Sequence, residues 1–172
     1  MSLRNTHFAF LLIWVFFLAN VSAEDRKEYD VKAAFIFTFL KYTDFPDKGT
    51  HFNIAIIGKN PFKGALKEVS KEKVKGREVK VSYFNRDVSK ETLSKFHIIF
   101  ISSSEFLSQK DILKKITGPH SLTIGDNKWF LKSGGMINFI TKNKSIRWQV
   151  NTDQINTRKF KVSSKILRLA IK

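Results

Sequence analysis

The run Val31–Pro46, VKAAFIFTFLKYTDFP, organises the reading of the whole chain. From Ala33 to Leu40 it carries no charge and a single hydroxyl, Thr38, and phenylalanine fills four of its sixteen positions. Val31, Ala34, Phe35, Thr38, Phe39 and Tyr42 recur at helical spacing, and Phe37 with Leu40 widens the stripe beyond one face. So apolar a helix needs cover on most sides, and the spacing predicts a core helix with further layers packed over it. Asp44-Phe45-Pro46 is the expected stop, because the residue before a proline is driven out of the helical region. Phe35, Ile36, Phe37 and Phe39 exceed what one buried face requires. Some of them are therefore candidates for a partner-binding or dimer surface, where aromatic side chains give most of the binding energy.

Upstream of this helix the sequence reads as a targeting segment. Arg4 supplies a positive start, Phe8 to Ala19 is an unbroken apolar run, and Val21-Ser22-Ala23 has the small-residue pattern of a cleavage site. Twelve apolar residues fall short of the roughly 20 that span a bilayer. The expectation is export to the periplasm, cleavage after Ala23, and a single domain over residues 24–172. The 172-residue chain has no cysteine, so packing alone must hold an exported fold together.

The formal charge is +16. Removing Arg4 with the signal takes it to +15. In a cytosolic protein such a balance points to nucleic acid. Export argues against that partner, and the lysines do not alternate with aromatics as on a base-stacking platform. The densest run, Lys63–Lys80, mixes Glu68, Glu72 and Glu78 among its bases and reads as a solvated face. The field as a whole favours anionic envelope surfaces or an acidic partner.

Going along the chain, Phe52–Ile57 is a short apolar strand closed by Gly58. Pro61 is placed to start a helix running to about Lys73. Glu78–Phe84 alternates, with Val79, Val81 and Tyr83 on one face, as an edge strand would. His97–Ile101 is apolar without alternation, the mark of a strand buried on both faces. Ser102 and Glu105 have capping-box spacing for a helix to about Ile116, closed by Gly118-Pro119. Ser121–Ile124 is a further strand, followed by Gly125-Asp126 and a turn around Trp129. Met136–Val150 is a hairpin. A two-residue loop at Asn143-Lys144 pairs Thr141 with Ile146, Phe139 with Trp148 and Ile137 with Val150, all on one face. Ser163-Ser164 caps a terminal helix with Ile166, Leu167, Ala170 and Ile171 inward. The order predicts an α/β fold: one three-layer domain, a mainly parallel sheet flanked by helices, with an antiparallel C-terminal hairpin.

In wording and order these segments resemble the YfiR-like family of small periplasmic regulatory proteins. The likeness runs through the Val31–Pro46 helix, Ile57-Gly58-Lys59-Asn60-Pro61-Phe62, Val74-Lys75-Gly76-Arg77, Ile101–Glu105 (ISSSE), Leu122–Asp126 (LTIGD), Gly134–Phe139 (GGMINF), Arg147–Asn151 (RWQVN) and Ser163–Leu169 (SSKILRL). Each piece alone is weak, and the ordered set is specific. The resemblance implies a periplasmic, often dimeric protein that restrains a membrane-bound diguanylate cyclase by binding its periplasmic part, with an outer-membrane protein able to sequester the inhibitor. Some relatives carry cysteine pairs; this sequence has none, which places any redox switch in doubt.

No pattern in the chain points to an enzyme, a cofactor or a metal. The histidines at 51, 97 and 120 lack ligand spacing, and Ser102, Ser103 and Ser104 sit in no nucleophile elbow. In an open parallel sheet a ligand lies beyond the carboxyl ends of the strands. Gly58, Asn60, Ser102, Ser103, Glu105 and Asp126 fall at such ends and are the candidate ligand-binding residues. Two readings follow: a regulator acting by protein–protein binding, or a periplasmic small-ligand sensor serving a histidine kinase or transporter.

Overall fold

The computed structural model describes residues 26–47 and 49–171; the expected signal peptide and its expected cleavage point lie outside the described residues. Residues 26–41 form α1. There follow Thr43–Asp44 (β1), His51–Ile57 (β2), Ala65–Val69 (α2), Glu78–Phe84 (β3), Lys90–Leu93 (α3) and Ile98–Ile101 (β4). A 3-10 turn at Ser103–Glu105 leads into Gln109–Lys115 (α4) and Leu122–Gly125 (β5). Ile137–Lys142 (β6), Ser145–Val150 (β7), Thr152–Thr157 (α5), Lys161–Val162 (β8) and Ser164–Leu169 (α6) complete the chain.

The runs without alternation became the middle of the sheet. Its six strands lie in the order β3-β2-β4-β5-β6-β7, parallel except for β7. Every residue of β4 and β5 is buried, because helices cover both faces there. One layer of core joins Ile36, Phe39 and Leu40 of α1, Leu66 of α2 and Ile166 of α6 to Ile54, Ile56, Ile98 and Phe100. The other packs Leu93 of α3, and Ile112 and Leu113 of α4, on Ile57, Ile99 and Ile101. The alternating β3 lies at the open edge, as its pattern requires.

The hairpin has the register read from the sequence: Thr141 faces Ile146, Phe139 faces Trp148 and Ile137 faces Val150. Asn143 and Lys144 both have positive φ, 51° and 57°, the geometry a two-residue loop needs to match strand twist. Phe35 and Phe39 of α1 lie on both rings, with centroids 4.9 and 5.3 Å from Trp148. The same two rings are 6.3 and 5.8 Å from Phe139.

Several local expectations need correction. The buried stripe of α1 is Lys32, Ala33, Ile36, Phe39 and Leu40, not the one through Val31, Ala34 and Thr38; Val31 is 42% exposed. The stripe turns by about one residue because Lys32 is buried, its charge met by Glu28 and Asp126. α1 also ends before the proline. Its chain leaves the helix after residue 41 to pair Thr43 with Val162 in a small second sheet. α2 begins at Ala65 rather than Pro61, since Asn60 Oδ1 accepts from Phe62 N (3.0 Å) and holds a turn there. Ser102 caps only the 3-10 turn, and α4 starts afresh at Gln109. Leu167 of α6 faces outward.

Two glycines of the loop from β5 to β6 have a steric reason. A Cβ on Gly125 would lie 2.4 Å from the Phe130 ring, and one on Gly135 would lie 2.1 Å from it. Phe130, itself fully buried, fills the space both leave. Among the described residues no helix is long and apolar enough to cross a membrane.

Candidate functional site

The strand order makes β2 and β4 the point where the sheet reverses. The chain leaves β2 toward α2 on one face and leaves β4 toward α4 on the other, so the two loops part. In doubly wound sheets this is where a crevice forms and ligands sit. Gly58, Lys59 and Asn60 follow β2; Ser102, Ser103 and Glu105 follow β4. The first loop, at Gly58 and Lys59, meets the second at Ser104 and Glu105.

The crevice is filled by the chain itself. Ser102 N donates to Ile57 O (3.0 Å), drawing the second loop onto the first. Lys59 N donates to Ser104 Oγ (3.0 Å), and a Cβ on Gly58 would meet Glu105 Cγ and Ser104 Oγ at 2.6 Å. Gly58, with φ of 89°, is the residue that lets the loops close so tightly. Ser102 is buried, and its hydroxyl faces Ser104 N at 3.4 Å. Glu105 is largely covered, with Arg86 Nε 3.9 Å from its Oε2. Ser104 Oγ donates to Glu105 Oε1 (3.4 Å). No group of three or more His, Asp or Glu side chains among the described residues is placed to hold a metal.

Asp126 stands apart from that group. It follows β5, but its carboxylate turns to α1, where Oδ2 accepts from Tyr29 OH (2.6 Å) and from Lys32 Nζ (3.0 Å). Its Oδ1 is buried without a partner. Lys32 also meets Glu28 Oε1 at 2.6 Å and lies 4.1 Å from the Tyr29 ring centroid. Asp126 thus positions α1.

Of the four partner-binding candidates, Ile36 and Phe39 are fully buried, so no partner reaches them without opening the core. Phe35 and Phe37 keep part of their surface. The N-terminal half of α1 stands between two grooves. One, of about 430 Å³, runs between Lys27, Glu28 and Val31 and the hairpin end at Thr141, Lys144 and Ile146. The other, of about 520 Å³, runs between Arg26 and Asp30 and the α2 segment at Phe62, Lys63 and Glu68. The helical spacing points to the phenylalanines farther along α1 and to Val31 as core; Val31 is instead exposed, beside charged residues that carry no apolar signal.

A second polar cluster lies at the amino end of the sheet. Asn53 N donates to His97 Nδ1 (2.9 Å), so the ring hydrogen is on Nε2, which lies 2.8 Å from Asp47 Oδ1. Arg77 stacks over Phe52 at 3.8 Å and donates to His51 O and to Asp47 Oδ1 (3.2 Å). Desolvation acts to raise the Asp47 carboxyl, but the His97 hydrogen bond and the charges around it outweigh this and hold it below its usual value. The reading of isolated histidines missed this cluster, because the fold alone brings residues 47, 77 and 97 together.

The described residues therefore define a doubly wound α/β domain whose switch-point loops are bonded to each other and whose long first helix flanks the sheet. The chain belongs to the YfiR/HmsC-like family, whose sequence model matches residues 29–171. That family is periplasmic and regulatory rather than catalytic. No curated protein matches the chain.

Proposed function

We propose that this protein is exported, cleaved after Ala23, and restrains a membrane-bound diguanylate cyclase by binding its periplasmic part. The observation that carries the reading is the family match over residues 29–171. Its family names point to cyclase regulation. The docking surface in this proposal is the outer side of α1, from Val31 through Phe35 and Phe37, flanked by its two grooves. A homodimer and an outer-membrane protein that sequesters the inhibitor belong to the same proposal. The small-ligand reading at Gly58, Asn60, Ser102, Ser103 and Glu105 has less support, because the two loops would first have to separate.

The test is cellular cyclic di-GMP in a strain lacking the protein, then complemented with Val31→Glu or Phe37→Glu. Deletion raises the nucleotide level, the wild-type chain restores it, and a surface variant that melts normally does not. A deletion that leaves cyclic di-GMP unchanged while the wild type is expressed overturns the cyclase reading. The intact mass of the protein recovered from the envelope checks the cleavage: a chain starting at Glu24 is expected, and one retaining Met1 overturns that step.

A further inference from the structure

A second exposed apolar surface lies at the carboxyl rim of the sheet, on the turns that follow β4 and β5. Leu107 is 89% exposed, Phe106 43% and Trp129 40%. Phe106 and Leu107 follow the turn after β4, and Trp129 lies in the turn after β5, the neighbouring strand. The two turns are tied together: Asn127 Nδ2 donates to Gln109 Oε1 (2.6 Å), and Asn127 Oδ1 accepts from Trp129 N (3.0 Å). Three large apolar side chains thus stand on one rim of the sheet.

Lysines surround them. Lys128 and Lys132 hold their ammonium groups 5.4 and 5.0 Å from the Trp129 ring centroid, and Lys110 is exposed on the first turn of α4. The acidic groups nearby are withdrawn or paired. Asp126 and Glu105 are largely covered, and Asp111 is bridged to Lys114 at 2.9 Å. The rim is therefore apolar at its tip and cationic at its base. Tryptophan and lysine share a preference for the bilayer interface, with an apolar body inward and a polar end at the headgroups.

We propose that this rim docks on an anionic lipid surface. Leu107, Phe106 and Trp129 enter the headgroup layer while Lys110, Lys128 and Lys132 meet the lipid phosphates. The chain's charge, +16 in full and +15 once Arg4 is removed, draws it toward such a surface. A lipid layer accepts a protruding tip without matching its shape, whereas a stable protein partner needs a complementary patch of roughly 800 Å² per side. None of these residues belongs to α1, and the assay needs no cyclase.

The protein recovered from the cell envelope is sedimented with vesicles of phosphatidylcholine alone, or of equal parts phosphatidylcholine and phosphatidylglycerol, while tryptophan emission is followed. It binds the anionic vesicles, releases them as salt rises, and shows a blue shift that Trp129→Phe abolishes; Trp148, already buried, does not contribute. Leu107→Glu melts as the wild type does and binds about tenfold more weakly, the scale of removing one inserted leucine. Lys128→Glu with Lys132→Glu weakens binding as well. Failure to sediment with anionic vesicles overturns the proposal. So does binding that Leu107→Glu leaves unchanged, which would make it a matter of charge alone. A Leu107→Glu variant that instead loses self-association, with no vesicle binding in the wild type, assigns the rim to a second copy of the chain and equally overturns it.

Discussion

Two clusters of like composition sit at opposite ends of the sheet, and water separates their energetics. At the carboxyl end Lys32 lies over the Tyr29 ring and 3.0 Å from Asp126. At the amino end Arg77 lies over the Phe52 ring and 3.2 Å from Asp47. Each cluster holds an end of the α1 segment: one fixes its second turn to β5, the other fixes the loop after it to β2 and β4. The Asp126 side chain is only 2% exposed, that of Asp47 48%. In the dry cluster each charge depends on its partner, because an unpaired buried ion is costly. In the wet one the ion pair contributes little, and the ring contact and the hydrogen bonds to backbone do the holding.

The dry cluster gives the largest expected loss. Asp126→Ala takes from Lys32 its buried carboxylate and leaves it only the more exposed Glu28, so the loss should approach the roughly 3–5 kcal/mol of breaking a buried pair. Urea unfolding measures it. Lys32→Met combined with Asp126→Leu should lose less than Asp126→Ala alone, since apolar replacement of both partners is often tolerated. A loss below about 1 kcal/mol for Asp126→Ala would place this cluster with ordinary surface pairs. An apolar scale comes from the hairpin, where Phe139→Ala and Trp148→Ala each cost about 3–5 kcal/mol. Because both rings lie against Phe35 and Phe39, the double variant should lose less than the sum. Strict additivity would mean that the two rings pack independently.

Arg77 is the middle case. Its Nε is buried without a partner while the rest of the guanidinium serves Phe52, His51 and Asp47. Arg77→Ala should cost about 1–3 kcal/mol, from the lost cation–π contact and the unpaired His51 carbonyl. Arg77→Lys should recover little of it, because an ammonium cannot stack flat and bond sideways at once. If Asp47→Asn cost more than Arg77→Ala, the charge rather than the ring would be the anchor there, and the contrast between the clusters would collapse.

What the sequence disclosed follows the same division. The sheet was legible because β4 is a continuous apolar run, and the hairpin because Thr141, Phe139 and Ile137 alternate toward an Asn143-Lys144 loop. α3 and α5 were not, since the four residues Lys90–Leu93 and the six of Thr152–Thr157 are too short to show a period. α1 was seen and turned the wrong way, because a buried lysine is invisible until its partner 94 residues on is placed beside it. At the candidate site the strand-end loops were foreseeable from topology. Their closure was not, because it depends on a missing Cβ at Gly58 against Ser104 and Glu105.

The smallest expected effect concerns pH at the wet cluster. Asp47 has a folded-state pKa below the ordinary 3.8, against the pull of desolvation, through the His97 hydrogen bond and the charges around it. A depressed carboxyl adds stability that is fully present above its unfolded value and lost as pH falls through the folded one. The contribution is therefore intact at neutral pH and disappears only below about 3.8. With half of the side chain in water, screening keeps it under about 1 kcal/mol. Asp47→Asn retains an acceptor for His97 Nε2 and removes only the charge, so it isolates this contribution. Urea midpoints of the two proteins should differ slightly at pH 7 and converge at the acid end of the range. If they instead converged on raising the pH, the Asp47 carboxyl would be raised by burial, and the amino-end cluster would behave like a dry one.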